Sequence, residues 1–176
     1  MKVPACRIGT AEWALRVVVC VCAAVLGACE GDDPEPTPLM GGIESRATPT
    51  VVQDRLGVSV DKWRIIEDGS LPPGDKRPRF AVKTVSILGF EDRELKGELV
   101  LRFFNDGLAS AWFYPDDFAR YRSQLARVNV LPESEKEKVS GRTLIREGED
   151  YQGRRYIAWE DRNLLNEQQR WLQKYS

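Results

Sequence analysis

The chain has 176 residues, 42% of them apolar and 30% charged, which suffices for one ordinary globular domain and falls short of two. Its 26 basic and 27 acidic residues leave a net charge of -1, so no global field draws it toward nucleic acid or an anionic surface. Histidine is absent, which excludes Ser-His-Asp, Cys-His and HExxH chemistry and leaves catalysis to carboxylates, serines, tyrosines and lysines.

The chain begins with Lys2, Arg7 and Arg16 set against Glu12, and then runs without charge from Val17 to Ala28. A positive start followed by a short apolar run predicts an export signal over 1-28. As a helix the apolar run would rise about 18 Å, short of the roughly 30 Å of hydrocarbon that a permanent spanning segment must cross. The run ends at Leu26-Gly27-Ala28-Cys29 and turns at once acidic.

Those four residues resemble the lipobox of bacterial lipoproteins: a branched apolar residue, two small residues, then the cysteine. The resemblance implies diacylglyceryl transfer to the sulfur of Cys29, cleavage between Ala28 and Cys29, and acylation of the new amino terminus. Two or three acyl chains on one residue make a durable anchor, because each buried methylene contributes about 0.8 kcal/mol. The protein would then sit in the cell envelope facing the periplasm or the exterior, with inner and outer membrane both open. Ordinary cleavage without lipid and an uncleaved anchor are the alternatives. Cys6, Cys20 and Cys22 would leave with the signal, so the mature chain would keep Cys29 alone and no disulfide.

After Cys29 come Glu30, Asp32, Asp33, Glu35 and Glu44 with Pro34, Pro36, Pro38 and Pro49, and Arg46 as the one base. That composition predicts a solvated, flexible tether over 29-50 that holds a domain at 51-176 away from the bilayer. The domain carries 22 basic and 21 acidic residues, again with no gross field.

Within the domain, Val51 to Ile66 is ambiguous, although Thr50 and Gln53 have the spacing of a capping box. Gly69 to Pro78 reads as loop. Alternation and β-branching predict strands at Phe80 to Leu88, Glu98 to Phe104, Leu108 to Tyr114, Arg142 to Glu147 and Arg154 to Trp159. Asn105-Asp106-Gly107 marks a hairpin. With Asp106-Gly107 as a two-residue loop, Leu101 would face Trp112 and Leu99 would face Tyr114; a three-residue loop with a bulge would shift that register.

Pro132 to Lys138 reads as a charged connection, and Gly148 to Gly153 as a second hairpin turn. Phe118, Tyr121, Leu125 and Val128 recur at helical spacing behind Asp116 and Asp117, as do Leu164, Leu165, Gln168, Trp171, Leu172 and Tyr175 behind Asp161. Each hairpin is thus followed by a helix, and Ala111-Trp112 has a faint echo in Ala158-Trp159. The expected fold is α+β: an antiparallel sheet of about five strands built from hairpins, with two amphipathic helices on one face.

Asp116 and Asp117 are the most tempting acids for a glycosidase pair, but adjacent aspartates after a proline at a helix start ordinarily cap. Glu91-Asp92 and Glu160-Asp161 have the same ordinary explanation. Asp68 to Asp75 lacks the alternating ligands of a calcium loop, and no metal or cofactor is expected. Aromatic side chains with flanking arginines are the better lead, as a stacking surface for sugars or an anchor for a protein. Phe113 and Tyr114, pointing to opposite faces, and Arg154 and Arg155 are the candidate binding surface. The bases Lys76, Arg77, Arg79 and Lys83, with Arg154 and Arg155, form a second, basic cluster suited to anionic glycan or lipid headgroups, with solvated loop charges as the ordinary explanation. The expectation is a non-catalytic binding or scaffolding lipoprotein whose ligand is another envelope protein or a glycan; the rival is a carboxylate-dependent envelope hydrolase acting on glycan. Nucleic acid is not an expected partner of an exported chain.

Overall fold

The computed structural model describes residues 35–176; the signal 1-28, the cleavage point after Ala28 and the lipid-bearing Cys29 lie outside the described residues. Seven strands form one sheet: β1 (Arg64–Ser70), β2 (Ala81–Asp92), β3 (Leu95–Phe104), β4 (Gly107–Pro115), β5 (Glu137–Ser140), β6 (Thr143–Glu149) and β7 (Arg155–Asp161). Their order is β1-β2-β3-β4-β7-β6-β5 and every neighbouring pair is antiparallel. With helices α1 (Pro49–Leu56), α2 (Phe118–Arg127) and α3 (Arg162–Tyr175), the fold is mixed α+β.

The five expected strands are the five central ones, and the two additions are the edges. β1 is exposed at nearly every position and β5 is four residues long, so neither carries a buried alternation. One of them lies at the end of the ambiguous segment and the other in the supposed charged connection. α1 is the third helix, and Thr48 rather than Thr50 caps it, accepting a bond from the amide of Val51.

The β3–β4 hairpin closes through Asn105 and Asp106, both at positive φ, with Phe104 paired to Gly107. The loop therefore starts one residue before Asp106-Gly107, and a bulge at Ala109 shifts the strands again. Leu101 faces Ala111 and Leu99 faces Phe113, in place of Trp112 and Tyr114. The shift aligns apolar residues of five strands. One row reads Val85, Leu101, Ala111, Trp159, Ile145; the next reads Ile87, Leu99, Phe113, Ile157. A one-residue slip would send each set to the other face.

These rows form the main core, joined by Val52 of α1 and by Tyr121 and Leu125 of α2. Asp117 caps α2 by accepting from the amide of Arg120 at 3.0 Å. The helix stops where Asn129 takes a left-handed conformation and the Val130 amide returns to the carbonyl of Leu125 at 2.9 Å. Val128, expected on the apolar stripe, is exposed there. The α3 stripe instead places Leu164 with Phe104 and Ala109, flanked by Val82, Phe80 and Leu165. Val82 and Phe104 alternate with the core residues of their strands, so α3 covers a corner of the opposite face and the two amphipathic helices do not share one. Trp112 and Trp159, the centres of the faint echo, also point to opposite faces, and no duplicated unit is formed.

Residues 36–50 are the largest correction. They belong to the folded unit, which starts at Pro36. Leu39, Met40 and Ile43 are buried in the main core, and Thr37 and Ser45 are buried beside them. The Thr37 amide donates to the Ser45 hydroxyl at 3.0 Å, the Thr143 hydroxyl donates to the carbonyl of Pro38 at 2.7 Å, the Arg46 amide of this strap donates to the carbonyl of Leu108 at 2.8 Å, and the Leu108 amide donates to the carbonyl of Ala47 at 2.9 Å. The domain boundary at 51 therefore falls inside the fold. Three apolar side chains outweigh the prolines and acids that gave the segment the composition of a tether.

Candidate functional site

The face away from the main core carries its own rows. One reads Thr84, Arg102, Ser110, Glu160, Leu144; another reads Ser86, Val100, Trp112, Ala158, Arg146; a third brings Leu88, Glu98 and Tyr114 beside Tyr156 and Gly148. α3 reaches the Phe104 corner, and Trp112, Tyr114 and Tyr156 form a separate cluster beyond it.

The aromatic side chains stack into a ladder closed at both ends by guanidinium groups. The Arg102 guanidinium lies 5.1 Å from the Trp112 ring centre; Trp112 stacks on Tyr156 at 5.1 Å and 12°; Tyr156 meets Tyr114 at 5.0 Å; and Arg154 lies over Tyr114 at 4.6 Å. Cation–π contacts of this kind contribute about 0.5–1 kcal/mol each at exposed sites. Gly148 makes the stacking feasible, since a Cβ there would lie 2.5 Å from the Tyr156 ring.

Buried charge fixes the ladder. Glu160, only 4% exposed, accepts from Arg146 at 2.8 and 3.0 Å and from the indole N–H of Trp112 at 3.2 Å. Bonding to Glu160 in turn raises the Arg146 pKa above its ordinary value. At the other end Arg154 reaches Glu98 at 2.6 Å and Asp150 at 2.9 Å, and the Ser86 hydroxyl donates to Glu98. Burial pushes the Tyr114 hydroxyl up to about 12, with the charge of Asp150 adding to it.

Beside Tyr114 the sheet ends in a groove of about 580 Å³, lined by Leu88, Lys96, Glu98, Asp116, Phe118, Arg154 and Arg155 among others. Arg155 lies 3.9 Å over the Phe118 ring and pairs with Glu147. Gly97 lines the groove because β3 passes close to β4; a Cβ there would meet the Tyr114 carbonyl at 2.2 Å. Leu88, 66% exposed, forms an apolar rim.

Of the four candidate surface residues, Tyr114, Arg154 and Arg155 line this groove, and Phe113 does not. Phe113 is fully buried in the main core against Tyr121 at 4.9 Å. Neither Phe113 nor Tyr114 is exposed as a ring, because both sheet faces are covered there, one by α2 and the other by Arg154. Asp117 is occupied as a cap, while Asp116 stays exposed on the groove. Asp161 is also a cap, bonded by the amides of Asn163 and Leu164.

The second basic cluster is divided among separate acids: Arg77 pairs with Asp75, Arg79 with Asp106, and Lys83 with Asp68. Sequence reasoning missed Arg102, Arg146 and Glu160 as site residues. Their signal was a charge directly after an apolar run inside a strand: Arg102 after Leu99-Val100-Leu101, Arg146 after Leu144-Ile145 and Glu160 after Ile157-Ala158-Trp159.

Among the described residues, no three Cys, Asp or Glu side chains gather as a metal-ligand set, and no helix is long and apolar enough to cross a membrane. No protein-family model matches the chain, and neither a curated protein nor a solved structure shows significant similarity to it.

Proposed function

We propose that the chain is a lipoprotein of the bacterial envelope, anchored through Cys29, and that it works as a non-catalytic binding module for another envelope protein. The guanidinium-capped ladder on the sheet face opposite α2 is the observation that carries the reading. Tryptophan, tyrosine and arginine are the side chains that dominate protein interfaces, and here a buried carboxylate pre-sets their geometry, which lowers the ordering cost of binding. A sugar ring stacks on an open aromatic face, whereas the Trp112 ring is already stacked with Tyr156 and contacted by the Arg102 guanidinium. A protein partner is therefore favoured over a glycan.

Crosslinking in cells that make the anchored chain should capture a partner that is lost with Arg102→Glu. It should also be lost or reduced with a secreted Cys29→Ala form. Capture that survives Arg102→Glu and Trp112→Ala, both folded, would remove the sheet face from the reading.

A carboxylate-dependent hydrolase acting on glycan is the second reading, because Asp116 and Glu98 line one groove. It requires Asp116→Asn to abolish turnover of an envelope polysaccharide without loss of stability, and Asp117→Asn to act through the helix cap alone.

A further inference from the structure

We infer that the chain pairs with a second copy of itself along the outer edge of β1, joining two sheets into one across a two-fold axis. The two edges of the sheet are not alike. β5 is four residues long, which blunts it as a template for pairing. β1 runs for seven residues with neither lysine nor proline and leaves Ile65 and Ile66 each more than half exposed. Among the described residues its backbone bonds to β2 alone, so its outer edge is open to another strand.

The bulge in β1 says which strand fits. Arg64 lies opposite Ser86 and Glu67 opposite Thr84, so these two charges share one face of the sheet although they are three residues apart. In a regular strand that spacing would put them on opposite faces; the extra residue at Ile66 brings them together. A two-fold axis perpendicular to the sheet, between Ile65 and Ile66, then sets Arg64 of each copy opposite Glu67 of the other and gathers the isoleucines of both copies at the axis. The Thr84 hydroxyl donates to Glu67 at 3.1 Å and holds the carboxylate on that face, while Arg64 has no acid partner among the described residues. A slip of one residue would set Arg64 opposite Asp68, which lies on the other face and is already paired with Lys83 at 3.7 Å. A regular strand of another protein lacks the matching bulge, so the device that ordinarily protects an edge selects the chain's own copy. About such an axis both sheets keep the same face upward, and the dimer presents its two aromatic ladders on one side.

Sedimentation equilibrium of the full chain, under reducing conditions and with detergent micelles in excess over protein, tests the pairing and its register. The native chain should be a mixture of monomer and dimer at tens of micromolar. Arg64→Glu and Glu67→Arg each set like charges opposite one another at two sites, and each should weaken pairing by at least about tenfold. Both positions are exposed, so the fold is kept. Mixed together, the two single variants should pair as well as the native chain, since each supplies the charge that the other lacks, and the double variant Arg64→Glu, Glu67→Arg should recover pairing with itself. A native chain that stays monomeric, a dimer indifferent to either reversal, or two single variants that fail to pair with one another overturns the proposal. A dimer weakened by Asp68→Asn as strongly as by Glu67→Arg would set Arg64 against the wrong acid and overturn it too.

Discussion

The two faces of the sheet are built from the same strands and held by different forces. On one face, Leu99, Leu101, Phe113 and Ile157 are fully buried and meet only in shape. On the other, Trp112 and Tyr156 are ordered by Arg102, Arg146 and Glu160 through contacts that have direction as well as distance. Apolar packing tolerates exchange of similar volumes, whereas a charged ladder fails when one partner leaves. The first face therefore carries stability, and the second carries a defined surface.

The largest effect should come from the packed face. Phe113→Ala removes a ring held between Tyr121 at 4.9 Å and Phe90 at 6.1 Å, and should cost about 3–5 kcal/mol in urea unfolding. A cost near zero would mean that the two faces do not divide the work in this way.

Next is the ladder's own support. Arg146→Ala leaves Glu160, whose side chain is 5% exposed, without its cation, and should cost about 3 kcal/mol. The near-ultraviolet dichroism of Trp112 should change with it, because the indole N–H shares the same carboxylate. The double variant Arg146→Met, Glu160→Leu should recover most of the stability and none of the partner capture, which would separate folding from recognition.

A smaller effect bears on what could be read from the sequence. Asp117→Ala should cost about 1 kcal/mol through the lost cap and leave the groove unchanged. That cap, the two amphipathic helices and the five central strands were legible because each leaves a local signature: a capping side chain, a 3.6 period or an alternation. The edge strands left none, since β1 and β5 bury almost nothing. The hairpin was legible at Asn105-Asp106-Gly107, but its register was not, because the bulge at Ala109, which aligns Leu101 with Ala111, has no turn residue to mark it.

The strap was hidden by its composition; Leu39, Met40 and Ile43 were the overlooked apolar signal. Residue type singled out Tyr114, Arg154 and Arg155, which line one groove, while the link from Arg146 to Glu160 and Trp112 depends on strand order, which no local pattern encodes.

The smallest effect at neutral pH is the one that compares the faces most directly. Tyr121 on the packed face and Tyr114 on the opposite face are both held protonated by burial, Tyr121 further by the charge of Asp92 and by its hydroxyl's bond to that carboxylate at 2.7 Å. An unfolded tyrosine ionises near its ordinary 10.0, whereas folded Tyr114 does so only at about 12, so the unfolded chain releases its proton first. The stability that Tyr114 contributes is complete below pH 10 and is lost as pH rises through about 12.

Tyr114→Phe should therefore change neutral stability by less than about 0.5 kcal/mol and flatten the alkaline fall, leaving the share that Tyr121 contributes. A partner seated in the groove would shield Tyr114 further and Tyr121 not at all. Its binding should move one phenolate transition in an absorbance titration to higher pH and leave the other in place, and movement of both would mean that the partner acts through the packed face.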